Sequence, residues 1–350
     1  MEEVKEELER QEIVTNIEYV QPKFWHRVLA NFVDIFIFLI MLIAMFFSTR
    51  GIVQSTPNYQ ANYNFILDSQ LSSGLYVKYN NNMQDIIYFC DQNIGVFGGE
   101  FEVQEEPYGK NGYCVKAIDT FMKYINEKCD INTYNELAQY YDDFRLNTLY
   151  NGVHYFIVDS NDQIIPNPDF ALASNHQYYY QYIYTPMIEK YCFSFFTTHV
   201  EDYYNALKID SNYLIYLELP VAYFLAAFLT YFVPPLFFRR GRMTLGKALY
   251  HIGLIDRKRV LSPTFARFLA RFAIFFFGEL VLSLFSFGVP FIISTSMMAF
   301  SKNRQGFPDY MLNLQEVDTS NNRIYLDYVD ATLKDEPHKK ATSFRMKKPL

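Results

Sequence analysis

The sequence predicts an α-helical integral membrane bundle, with two full spans plus a broken third hairpin segment and an inserted α+β extracytoplasmic domain. Three observations carry that expectation. Residues 28–47 form an apolar run of 20 residues. That is enough to cross a hydrocarbon core of roughly 30 Å at about 1.5 Å per residue. Two more apolar regions follow, at 213–238 and 272–300. The charge is also partitioned. Residues 51–211 hold 20 acidic side chains against 8 basic ones, whereas 239–271 hold 9 basic ones and a single acid, Asp256. A net charge of −7 and a mean hydropathy of −0.07 conceal this partition, so segmental sign is the useful quantity.

Residues 1–23 form a charged N-terminal segment that ends at Lys23 and holds no packed domain. Phe24, Trp25 and His26 stand where an interfacial aromatic belt belongs. Residues 24–50 are the first transmembrane helix. Its apolar run is too long and too late for a cleavable signal peptide and reads as a retained anchor. The inserted domain, 51–211, is long enough for a core of its own. Within it, Thr133 and Glu136 have capping-box spacing for a helix over 133–145. Residues 154–165 read as a hairpin, and 178–207 as helix. The tyrosines at 178, 179, 180, 182 and 184 suit a domain core better than a glycan platform.

Residues 212–317 hold the remaining membrane domain: a second span, the basic loop, and a third region broken at Gly288–Val–Pro290. At 29 residues the third region reads as a hairpin of two short helices, with a single tilted span as the alternative. Residues 318–350 are a flexible tail rich in Lys and Arg. Positive charge stays inside, so the basic loop and both termini are expected in the cytoplasm of a multi-pass cell-membrane protein, with 51–211 outside.

The cysteines Cys90, Cys114, Cys129 and Cys192 all fall in the acidic insertion. An even count in one segment fits disulfides in an oxidising compartment, with three pairings open, and four buried free thiols fit equally well. The acids Glu100, Glu102, Glu105 and Glu106 read as a solvated loop.

Chemistry is expected inside the apolar runs. Arg27, Asn31 and Asp34 recur at i, i+4 and i+7 on one helical stripe, so Arg27 can reach Asp34 through Asn31 or water. A carboxylate in lipid costs several kcal/mol unless paired, hydrated or protonated. Glu218 and Glu279 are two further acids in apolar runs, giving a ladder Glu218, Glu279, Asp34 from outside to inside. Helix-gluing and a proton or cation path are the two readings of this set. Gly246–Lys247 lacks the spacing of a phosphate-binding loop. Gly246 and Gly253 instead suit a short interfacial helix, with Lys247 meeting headgroups. Ser262–Pro263 offers a helix start for Arg267 and Arg271. No nucleophile–base pairing or metal-ligand spacing stands out, so neither an enzyme nor a metal or other cofactor is expected. The basic loop fits anionic lipid rather than nucleic acid.

These residues resemble the RDD family of membrane proteins, named for one arginine and two aspartates. Arg27 and Asp34 match the first helix. Gly241, Thr244, Leu245, Gly246 and Lys247 resemble its glycine–threonine–lysine signature, with Met243 in an extra position. Arg304, Gln305, Gly306 and Asp309 resemble its late signature. The likeness covers about 24–50 and 213–317, and the insertion at 51–211 departs from the family's short loop. It implies a transport role, including sodium/proton exchange, and a cytoplasmic Asp309 within reach of Arg27. The expected function is a small cation or proton transporter. In it Asp34 exchanges, Arg27 sits beside it, Glu279 continues the path and Asp309 guards the inner mouth. The alternative is a membrane anchor or accessory subunit whose outer domain binds a partner. So few spans also point to a homo-oligomer or a partner membrane protein.

Overall fold

The computed structural model describes residues 19–94, 109–170, 176–301, 303–321 and 323–332. The acids at 100, 102, 105 and 106, most of the N-terminal segment and most of the C-terminal tail lie outside the described residues. The chain divides into two compact units, Gly51–Leu217 and the pair of segments Met1–Arg50 and Glu218–Leu350.

Among the described residues three helices are long and apolar enough to cross a membrane: α1 (Phe24–Gln54), α7 (Glu201–Phe237) and α9 (Phe265–Phe285), with mean hydropathies over an 18-residue stretch of 2.6, 1.6 and 2.0. In the Met1–Arg50/Glu218–Leu350 unit they meet through one aromatic core. Phe38 of α1 packs with Ala226, Ala227 and Phe232 of α7 and with Phe268, Phe272 and Phe276 of α9. The alanines let the backbones approach, which is how helices associate when lipid is as apolar as leucine. The opposite faces expose Phe32, Phe36, Ile43 and Phe47 on α1 and Phe277, Leu284 and Phe285 on α9. These rows of exposed apolar side chains are what an acyl-chain environment accepts and water does not.

Helix α9 ends at Phe285, and Gly288 takes φ +83° in the break foreseen at 288–290. Only a residue without Cβ holds that conformation cheaply. The short apolar helix α10 (Val289–Phe300) then packs back against α9. Both α7 and α9 widen into π-type turns, at Phe228–Phe232 and Ile274–Val281 respectively. Such widening rotates side chains off the regular stripe and is frequent at functional sites.

The remaining elements of this unit are α8 (Leu245–Leu249), α11 (Phe307–Met311), α12 (Tyr328–Thr332) and one antiparallel strand pair, β7 (Ile252–Asp256) with β8 (Leu314–Asp318). Leu254 stands opposite Glu316, and Gly253 opposite Val317. Because strand side chains alternate, Val317 and Ile255 turn to a small core with Tyr19, Val260, Leu261 and Ile324, while Glu316 turns to the other face. The start of α9 corrects a sequence expectation. Its N-cap is Thr264, and the Ser262 hydroxyl instead donates to the Arg239 carbonyl and accepts the Gly241 N–H.

The Gly51–Leu217 unit is α+β. Its helices are α2 (Pro57–Ser72), α3 (Ile86–Asn93), α4 (Gly109–Lys128), α5 (Ile131–Asn147) and a helical stretch α6 over 176–199. Its strands pair as three small hairpins, Tyr76–Tyr79 (β1) with Asn82–Asp85 (β2), Leu149–Tyr150 (β3) with Val153–His154 (β4), and Phe156–Val158 (β5) with Ile164–Pro166 (β6). The core gathers Ile118, Phe121, Ile125, Leu137, Tyr155, Ile183, Met187 and Phe196, with Tyr179, Tyr180 and Tyr184 built into it. Helix α5 starts two residues before the expected Thr133. Its cap is Asp130, whose carboxylate accepts the Thr133 N–H, so an upstream carboxylate outcompetes the foreseen hydroxyl.

Candidate functional site

Within the Met1–Arg50/Glu218–Leu350 unit, a cavity of roughly 70 Å³ is lined by Asp34, Tyr231, Lys247, Arg271, Glu279, Ser294, Asp309 and Glu316 among others. At about 10–15 Å³ per enclosed water it has room for several. The charged groups arrive on five elements, two of them on α9, so the site exists only when α1, α8, α9, α11 and β8 assemble.

Asp34, two per cent exposed, leaves α1 toward the loop that follows α7. One carboxylate oxygen accepts the Thr244 hydroxyl and the other accepts the Gly246 N–H at 2.7 Å. Thr244 is also the N-cap of α8, accepting the Lys247 N–H at 3.4 Å. Gly246 is required by proximity: a Cβ there would lie 2.1 Å from the Ala30 carbonyl oxygen.

Arg27 does not turn to Asp34, nor to Asp309. Its guanidinium donates to the Arg304 carbonyl at 2.6 Å and pairs with Glu316 at 3.4 Å. Seven residues along the helix is a wide gap, and a strand carboxylate and a carbonyl lie closer. Asn31 donates to the Met298 sulfur at 3.8 Å and does not link the two. Arg304 thus contributes its backbone, turned inward by a φ of +51°. Lys247 is buried and pairs with Glu316 at 2.6 Å, where the sequence suggested lipid headgroups. Glu316 therefore sits between two cations. Burial alone would push its carboxyl up, but Lys247 and Arg27 reverse that and hold it down at about 2.

Asp309 of α11 pairs with Arg271 of α9 through two bonds, 2.5 Å from Nε and 3.2 Å from Nη2. Such a fork is the strong form of a carboxylate contact. Gln305 donates to the Leu314 carbonyl at 2.6 Å, tying the α11 loop to β8. Gly306 lies where a Cβ would stand 3.2 Å from Ser294 Oγ. Gly241, at φ +83°, turns the chain beneath Ile324 and accepts the Leu254 N–H at 2.7 Å.

Glu279 is the exception. It is four per cent exposed, lies in the π-type turns of α9 and faces the Ser294 hydroxyl, which also accepts the Phe307 N–H at 3.0 Å. One of its oxygens, Oε1, is buried without a hydrogen-bond partner, and no ion pair to it is found among the described residues. The site holds four carboxylates, Asp34, Glu279, Asp309 and Glu316, against the three cations Arg27, Lys247 and Arg271. Charge balance thus leaves one acid over. Glu218 lies apart from the cavity, one per cent exposed and paired with Arg50 at 3.2 Å. No group of three His, Cys, Asp or Glu among the described residues could hold a metal ion.

The sequence alone did not mark Glu316 or the roles of Arg271 and Ser294. Glu316 lies in Leu–Gln–Glu–Val–Asp, a polar stretch after the last apolar run, and it is buried by tertiary contacts with Arg27 and Lys247. Ser294 sits in an apolar run where a serine is unremarkable, whereas an arginine at 271 entering such a run was a usable signal. The cysteines are all thiols in this structure: Cys90, Cys114 and Cys192 are buried and Cys129 is half-buried.

The RDD family model matches residues 181–313. The match begins before α7 and takes in the motif residues from Gly241 to Asp309, while Arg27, Asn31, Asp34 and Glu316 fall outside it. No curated protein and no solved structure matches the chain.

Proposed function

We propose, from the premise that this chain belongs to the RDD family through its domain at residues 181–313, that it is a multi-pass membrane protein exchanging a proton or a small cation at a buried carboxylate. The observation that carries this reading is Glu279, the one acid of the cavity with neither a cation nor a full set of donors. An uncompensated carboxylate in low dielectric gains a proton or a cation readily, because either removes the cost of a bare buried charge. Asp34, which the sequence suggested for that role, has both oxygens occupied and serves better as a clasp between α1 and α8.

In this reading the basic loop and both termini face the cytoplasm, and the Gly51–Leu217 unit lies outside the cell membrane. The chain acts without enzymatic chemistry or a cofactor, and lipid is its first partner. Two spans and the α9–α10 hairpin leave little room for alternating access, so the working form is a homo-oligomer or a complex with another membrane protein.

A second reading has its own support. The three occupied carboxylates, Asp34, Asp309 and Glu316, each join two elements, so the network serves equally as glue in an anchor whose outer unit binds a partner. Purified protein reconstituted in vesicles with a pH-sensitive dye separates the two. Under an imposed sodium or proton gradient, dye response is expected from the wild type and lost in Glu279→Gln. No flux from folded, correctly inserted wild type, or equal flux from the variant, favours the anchor.

A further inference from the structure

Helices α3 and α4 of the Gly51–Leu217 unit pack together, and each brings one cysteine to their shared face. Cys90 and Cys114 are both fully buried, and their thiols lie close enough to influence one another. The other two cysteines are engaged elsewhere. Cys129 donates to the His199 carbonyl at 3.6 Å, and Cys192 is packed into α6.

The surroundings favour reaction at one sulfur over the other. Lys110 pairs with Asp91 at 2.8 Å, beside Cys90, and Tyr180 donates to the same carboxylate at 2.9 Å. The neighbouring Cys114 thiol, then the Lys110 ammonium, holds the Cys90 thiol below the ordinary range against its own burial. Cys90 in turn, then burial, pushes the Cys114 thiol well above it. The thiolate is the species that attacks.

We propose that Cys90 and Cys114 are an oxidation site and form the native disulfide of this unit, while Cys129 and Cys192 stay reduced. The Cys90 thiolate attacks the disulfide of an extracytoplasmic thiol oxidant, and one oxidant sulfur leaves as thiolate. Cys114 then loses its proton and displaces the second sulfur, so the two cysteines are oxidised and the oxidant's disulfide is reduced to two thiols. Both sulfurs are sealed in the finished core, so the exchange takes place once α3 has met α4, which brings Cys114 and Lys110 to Cys90, and before α6 covers the pair. The bond ties the two helices across the 23 residues between the cysteines. A structural disulfide persists in an oxidising compartment, so the proposal rests on the extracytoplasmic placement of this unit.

The test quenches whole cells in acid, alkylates under denaturing conditions without reductant, and maps peptides by mass spectrometry. Two alkylated cysteines, 129 and 192, are expected, with the 90 and 114 peptides linked and separating on reduction. In Cys90→Ser, Cys114 is expected to alkylate. In Cys129→Ser the 90–114 link is expected intact, so a folding failure of the first variant does not decide the matter. Four alkylated cysteines or another pairing overturns the assignment. Impermeant protease added to intact cells separates the causes: a cleavable unit with four thiols removes the disulfide alone, and a protected unit with four thiols removes the topology with it.

Discussion

The amide nitrogen of Gly246 rests 2.7 Å from the carboxylate of Asp34, and the Cα that follows lies where no side chain fits. A Cβ at 246 would stand 2.1 Å from the Ala30 carbonyl and 2.9 Å from the Asp34 carboxylate. The aspartate is therefore held by a loop that must come within backbone contact of α1. This accounts for a glycine two residues after a capping threonine: the hydroxyl takes one oxygen and the bare amide the other.

Gly246→Ala is expected to destabilise the protein by about 1–3 kcal/mol or more, the usual cost of overpacking a site whose walls are backbone. Thermal unfolding in detergent measures it. An unchanged midpoint would show that α8 does not approach α1 so closely.

Arg271 and Asp309 form a bidentate pair with little water access. Removing one partner of such a pair costs about 3–5 kcal/mol, because the other is left charged and buried. Asp309→Asn should therefore unfold at markedly lower temperature. Arg271→Met combined with Asp309→Leu should recover most of the loss. A double variant as unstable as the single one would mean the pair does more than neutralise itself.

Legibility in the sequence followed the local character of each signal. The spans were readable because 20 apolar residues leave few alternatives, and the break at Gly288 because glycine and proline interrupt helices wherever they fall. Asp34 and Glu279 were readable because acids in apolar runs are costly. Their partners were not, since partner choice is tertiary. Arg27 prefers a strand carboxylate 289 positions later to an aspartate on its own helix. Lys247 looked like a lipid contact because nothing local marks it as covered. The cap of α5 was missed by three residues, an ambiguity that neighbouring Asp and Thr create.

Glu316 gives a pH prediction. Its carboxyl is held at about 2, below the ordinary 4.5, by Lys247 and Arg27 acting against burial. A depressed value means the folded state prefers the ionised form, so the contribution is fully present above about 4.5 and is lost as pH falls toward 2. Acid unfolding in detergent should show the wild type losing stability through that interval, and Glu316→Gln, weaker at neutral pH, losing less across it. Parallel curves would contradict the assignment.

Glu279→Gln should behave unlike these structural variants. The amide keeps a partner for Ser294 and removes an uncompensated charge, so stability should rise or stay within about 1 kcal/mol, the scale of one neutral hydrogen bond. Asp34→Asn should lower it, since an amide presents a donor where Thr244 now donates. Thermal unfolding of both variants side by side is the measurement. A large loss in Glu279→Gln would make that acid part of the scaffold.

The placement of Glu316 on β8 has a consequence for biosynthesis. Arg27 and Lys247 are synthesised long before the ribosome has made the carboxylate that neutralises them. Until the last tenth of the polypeptide emerges, two cations lack their counter-ion and the nascent helices are held only loosely together. Chains that stop short of residue 314 would be inserted yet unfinished, an assembly checkpoint set by the order in which residues are translated.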